Sequence, residues 1–163
     1  MNTQTITPLT LRRPMPPPAR IALIDVDNIA LGGGGELRRS WALEQLDAVA
    51  REVSGAELVY AVASQSLVRA LGLWFRYPEW TFRPADVGPD AADRQLLDYG
   101  RCALRQRPGA HLIVASGDHI FADLADVAAL RVIVPSTHCG VSARLRPWLR
   151  RVPTGPAGAP RAA

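Results

Sequence analysis

A chain of 163 residues, 48% hydrophobic and 21% charged, is long enough for one domain with its own core and ordinary in composition. All 19 basic residues are arginine and none is lysine, which excludes a Schiff-base lysine, a Walker lysine and a lysine general base. No apolar run approaches the roughly 18 residues that span a bilayer, and residues 1–20 lack the apolar stretch of a signal peptide, so the expected compartment is the cytoplasm, with no membrane partner.

The charge is unevenly placed. Residues 1–24 carry three arginines and no acid, residues 127–163 carry six arginines and no acid, and residues 25–126 hold all 15 acids against ten arginines. Two readings stand side by side: soluble tails on an acidic domain, or an acidic metal site flanked by arms that attract a polyanion.

Residues 1–19 contain Pro14, Pro16, Pro17 and Pro18 and predict a disordered or extended lead-in. Strand and helix signals then alternate over residues 20–152, the expected domain. Residues 21–26 read as a short apolar strand and 40–53 as a helix with Ala42, Leu46, Val49, Ala50 and Val53 on one face. A strand over 57–63, a short helix over 66–73 and a short strand over 80–83 follow. Between them lie Trp74, Phe75, Tyr77 and Trp80 with Arg76, expected as core packing under a short helix rather than a base-stacking platform. Residues 89–106 form a helix with Pro89 in its first turn. Cys102 falls in it as a small buried hydrophobe; with Cys139 it makes neither metal-ligand spacing nor a disulfide framework. Strand 111–115, helix 121–130, strand 131–134 and a last helix over 141–149, limited by Pro147, complete the domain. Residues 153–163 predict a disordered tail. Apolar, non-alternating strands alternating with helices imply an α/β fold with a parallel sheet covered on both faces.

Open parallel sheets bind ligands beyond the carboxyl ends of their strands, and three acidic clusters are directed there. Asp25 closes the first strand, with Asp27 and Asn28 in the exit that follows. Asp93 stands four residues before Leu97 and seven before Gly100, so it continues the apolar stripe at the N-terminal end of its helix, where Asp90 fits capping better. Asp98 lies about 140° around that helix and is expected at the surface. Ser116, Gly117 and Asp118 follow the strand 111–115, with Asp123 in the next element; Ser116 is placed to hold a carboxylate or a metal-bound water. Three carboxylates at one edge repel each other unless a cation sits between them, and an all-oxygen donor set suits Mg²⁺ or Mn²⁺. The glycines from Gly32 to Gly35 lack both the P-loop and the dinucleotide pattern and read as a flexible loop. His119 adjoins Asp118 and reads as an exposed histidine; His111 and His138 carry no recognisable pattern.

An apolar strand ending in Asp25-Val26-Asp27-Asn28, then Ala92-Asp93 followed by Leu96-Leu97 on a helix, then Ser116-Gly117-Asp118 with Phe121 after a strand, resembles the NYN domain of the PIN-like nuclease superfamily. The match spans roughly residues 20–134. The resemblance implies a PIN-like, Rossmannoid three-layer α/β/α fold, metal-dependent cleavage of RNA, a metal site of Asp25, Asp93 and Asp118, and Asn28 as the accompanying polar residue. The family often carries a further Asp where this chain has Ile120, so one ligand is missing or replaced, with Asp123 as the candidate replacement. RNA is the implied partner, gathered by arginines near the end of the domain: at helical spacing Arg146 and Arg150 share a face, with Arg144 and Arg151 nearby. Self-association as a homodimer is left open.

Two alternatives compete. Asp25-Val26-Asp27 with Gly117-Asp118, Asp123 and Ser64 resembles a haloacid dehalogenase-like phosphatase, but that family uses a lysine, which this chain lacks, and gives Asp93 no task. The other is an RNA-binding or regulatory module that kept the fold and lost turnover, for which Ile120 speaks.

Overall fold

The computed structural model describes residues 17–32, 37–88 and 90–155. Most of the expected lead-in and tail, Pro89, and three of the four glycines from Gly32 to Gly35 lie outside the described residues. The strands are β1 (Arg20–Asp25), β2 (Leu58–Ala63), β3 (Thr81–Pro84), β4 (His111–Ala115), β5 (Ala129–Pro135) and β6 (Leu149–Val152). The helices are α1 (Val26–Leu31), α2 (Arg39–Val53), α3 (Gln65–Leu71), α4 (Leu73–Arg76) and α5 (Ala91–Gln106), with 3-10 segments at His119–Asp126 and Ala143–Trp148.

The six strands form one sheet in the order β3-β2-β1-β4-β5-β6, and every pairing is parallel. Successive strand residues point to opposite faces, and here both faces are apolar. Ala22 and Ile24 of β1 join the core under α1 to α4, whereas Ile21 and Leu23 join the core under α5 and the 3-10 segments. The result is a three-layer α/β/α arrangement, as the apolar, non-alternating strands predict. α5 packs closely over β1: a Cβ at Gly100 would stand 2.8 Å from Leu23 Cδ1. That approach brings the first turn of α5, with Asp93, to the end of β1. Leu96 is fully buried beside it, and burying such a side chain contributes about 1.5–3 kcal/mol.

Several elements differ from expectation. Asp25 to Asn28, read as a strand exit, begins a six-residue helix, because Asp25 caps it by accepting the Asn28 N–H. The expected helix over 121–130 is a 3-10 segment that stops at Asp126, and the final one is a 3-10 segment over Ala143–Trp148. Arg146 and Arg150 therefore share no helix face; Arg150 lies on β6, a strand absent from the sequence prediction. The helix over 66–73 divides at Gly72, whose left-handed backbone (φ 65°) ends α3 and starts α4. The aromatic cluster divides too: Tyr77 and Trp80 are buried and stacked with centroids 4.3 Å apart, whereas Trp74 and Phe75 are exposed. Cys102 is exposed rather than buried, on the outer side of α5. No helix among the described residues is long and apolar enough to cross a membrane.

Candidate functional site at the carboxyl edge of the sheet

The chain runs from β1 outward through β2 to β3, then returns to place β4 on the other side of β1. Such a reversal opens a crevice beyond the carboxyl ends of the two central strands. Ile24 is in register with Ala115, so the next residues, Asp25 and Ser116, meet at the mouth of that crevice. A cleft of about 380 Å³ occupies it, and six aspartates contribute to its lining: Asp25, Asp27, Asp86, Asp90, Asp93 and Asp118.

Asp25 is almost fully buried. Its Oδ1 accepts the Asn28 N–H at 3.1 Å and its Oδ2 accepts the Ser116 hydroxyl at 3.0 Å. These bonds favour the carboxylate, but burial and the neighbouring charge of Asp93 outweigh them, and the carboxyl is pushed up to about 7. Asp93, half-buried in the first turn of α5, is also raised, by burial first and then by the charges of Asp118 and Asp90; a hydrogen bond with Asp25 acts in the opposite sense. The two carboxyls thus face one cleft, each made harder to ionise by burial and by neighbouring acids. Asp118 caps its 3-10 segment, its Oδ1 accepting the Ile120 N–H at 3.0 Å and standing 3.0 Å from His119 Nδ1.

Of the residues singled out from sequence, the fold brings Asp25, Asn28, Asp93 and Asp118 to one cleft. Ser116 is wholly buried beneath it and links two of the acids, donating to Asp25 and accepting the Asp118 N–H at 3.1 Å. Asp123 and Arg144 lie outside the cleft lining: both are exposed and pair with each other at 3.2 Å. Arg146 is exposed on the final 3-10 segment. Asp98 is exposed, as its angular position on the helix implies. Asp90 occupies the N-cap position of α5 with a left-handed backbone (φ 52°), yet its side chain caps nothing, so the expected capping bond is not made. Asp27, with no role assigned from sequence, takes the Ser64 N–H at 2.6 Å and the Ser64 hydroxyl at 2.7 Å, holding the start of α3. Ile120 packs against the apolar core beneath α5, so its position supplies no donor.

His138 is the residue that sequence reasoning passed over. It is buried after the end of β5, and its Nε2 lies 3.1 Å from both the backbone oxygen and Oδ1 of Asn28. Asn28 Oδ1 also accepts the Gly117 N–H at 2.9 Å. Nothing local to His138 signals this, since its partner is 110 residues away.

Among the described residues, no three His, Cys, Asp or Glu side chains are spaced as a ready metal-holding group. Asp25, Asp93 and Asp118 line the same cleft, and the charge of Asp118 acts on Asp93 through space. The donor chemistry nevertheless fits a hard cation: carboxylate oxygens, two of them destabilised by mutual repulsion.

An all-parallel sheet with helices on both faces and a cleft at the strand reversal belongs to the general Rossmannoid α/β/α class, which holds many enzymes. No family model matches the chain, and no curated protein matches it either.

Proposed function

We propose that this protein is a Mg²⁺- or Mn²⁺-dependent ribonuclease that hydrolyses RNA phosphodiester bonds in the aspartate cleft. The observation that carries the proposal is the convergence of Asp25, Asp93 and Asp118 on one cleft at the crevice where this class of sheet binds ligands, with burial and the nearby Asp93 pushing the Asp25 carboxyl up to about 7. Asp25, Asp93 and Asp118 would hold the ion. When bound, it supplies charge neutralisation to a phosphoryl oxygen and acidifies an attacking water. The chain's own part is positional. Ser116 ties Asp25 to the Asp118 backbone, α5 brings Asp93 into the same cleft as Asp25, and Asn28 presents a polar side chain to it. The phosphatase alternative gives Asp93 no task, and its place beside Asp25 in the cleft lining supports the nuclease instead. A module that binds RNA without turnover draws support from Ile120, which packs into the core where the family often has an acid.

The test is cleavage of a single-stranded oligoribonucleotide by the purified chain, with and without Mg²⁺ or Mn²⁺. Cutting is expected only with the ion, and Asp118→Asn is expected to abolish it. Brisk hydrolysis of small phosphomonoesters, or a phospho-aspartate trapped at Asp25, would establish the phosphatase. Binding without cutting under either metal would establish the module.

A further inference from the structure

Three strand exits meet behind the cleft. β1 delivers Asn28, β4 delivers Gly117 and β5 delivers His138. The bonds among them leave little choice of proton placement. A backbone N–H can only donate, so the Asn28 atom 2.9 Å from the Gly117 N–H must be the oxygen Oδ1. The Asn28 backbone oxygen can only accept, so His138 Nε2, 3.1 Å from it, must carry a proton. That same proton side faces Oδ1. The opposite ring atom, Nδ1, is buried without a hydrogen-bond partner among the described residues. This suits a bare lone pair better than a second N–H, and burial favours the neutral ring.

Asn28 is thereby used on three sides. Its N–H goes to Asp25, its backbone oxygen to His138 and to the Gly32 N–H at 3.0 Å, and its Oδ1 to Gly117 and His138. Among the described residues Nδ2 makes no hydrogen bond, and Asn28 lines the cleft. An acidic cleft otherwise rich in acceptors thus gains a fixed donor. We propose that His138 is a positioning residue: it locks the Asn28 amide so that Nδ2 donates into the cleft, to an anionic oxygen of the substrate. The proposal rests on the cleft being the phosphodiester site described above. A flipped amide would set Nδ2 against two N–H donors, so the lock acts on orientation and not merely on packing.

The test follows ring and amide together. Nitrogen-15 NMR of the full chain should show His138 protonated at Nε2 and bare at Nδ1; a proton on Nδ1 at neutral pH overturns the proposal. In His138→Phe, which keeps a ring and removes the donor, the Asn28 side-chain amide signals should move. Affinity of the Mg²⁺-loaded protein for a single-stranded oligoribonucleotide should fall roughly tenfold, the scale of one hydrogen bond to a charged group, with Mg²⁺ affinity unchanged. His138→Gln, whose amide can restore the donor, should recover both readouts; it also serves should the phenylalanine variant not fold. Unmoved amide signals, or moved signals with unchanged RNA affinity, overturn the proposal. If the wild-type chain binds no RNA at all, the nuclease assignment falls, and the amide signals still decide whether His138 sets the orientation of Asn28.

Discussion

The aspartate cleft and the arginine-bearing segment from Ala143 to Val152 handle charge in opposite ways. In the segment, Arg144 pairs with Asp123, Arg150 pairs with Glu52, and Arg151 donates to the carbonyls of Ser136 and His138. Of the four arginines expected to gather RNA, only Arg146 makes no ion pair or side-chain hydrogen bond among the described residues. In the cleft, by contrast, Asp25, Asp93 and Asp118 face one another, and the side-chain partner described there for Asp118 is an exposed histidine, His119. Charge satisfied inside the molecule fastens the end of the sheet. Charge left under mutual repulsion is what a cation from solution can act upon. The overall excess of arginine is therefore a poor guide to where unpaired positive charge lies on this surface.

The largest effect expected from breaking the contrast is on the acidic side. Asp118→Asn should abolish metal-dependent RNA cleavage, and Asp93→Asn should lower it by about a hundredfold or more, the scale of losing one charge-stabilising group in an active site. Circular dichroism should show the fold intact, and unchanged cleavage or Mn²⁺ affinity in Asp93→Asn would remove that residue from the site.

Next comes pH. Below the ordinary carboxyl value of 3.8, Asp25 is protonated in both folded and unfolded chains; as pH rises towards about 7, the unfolded chain ionises first and the folded state loses stability. Without metal, Asp25→Asn should match the wild type near pH 4 and exceed it above pH 7 by on the order of 2–4 kcal/mol. Excess Mn²⁺ should close that gap by binding the wild type. A gap independent of pH would contradict the burial of an acid at this position.

Gly100→Ala tests whether α5 must lie close for Asp93 to reach Asp25. The added methyl meets Leu23 in a filled core, and overpacking of this kind costs about 1–3 kcal/mol; thermal melts should show the loss, and stabilisation by Mn²⁺ should weaken with it. The smallest effect belongs to the arginines. Arg146→Ala should reduce the salt dependence of RNA binding by about one phosphate contact, and Arg150→Ala should leave it unchanged. Equal effects of the two would erase the distinction between paired and unpaired arginine.

What could be read in advance follows the range of the interactions. β1, β2 and β4 are apolar runs bounded by polar residues, and their parallel pairing follows from having both faces buried. That Asp25, Asp93 and Asp118 share one edge was legible because each sits at a strand or helix end, where local position dictates direction. The helical spacing that placed Asp93 over the core also placed Asp98 outside. α1 was hidden because Asp25 serves at once as strand end and helix cap. β6 was hidden because two of its four residues are arginines. The partners of Arg150 and His138 are contributed by distant parts of the chain, so neither spacing nor composition could name them. Cys102 was misjudged for a related reason: residue type suggested the interior, but the helix turns that position outward.

The short strand β6 has a bearing on whether the edge of the sheet is open to a neighbouring chain. Without it, β5 would form the rim of the sheet, and the run Val132-Ile133-Val134 would offer an apolar strand with unpaired N–H and carbonyl groups to any neighbouring chain. β6 covers that run in register from Val132 to Pro135 and presents Arg150 and Arg151 on the exposed rim instead. A rim only four residues long, with two bulky arginines held back onto the protein by their own partners, offers a second copy little strand to pair with. A chain ending at Trp148 should accordingly aggregate on standing at concentrations where the full chain scatters no light. If the shortened chain stays monodisperse, something other than β6 protects the rim.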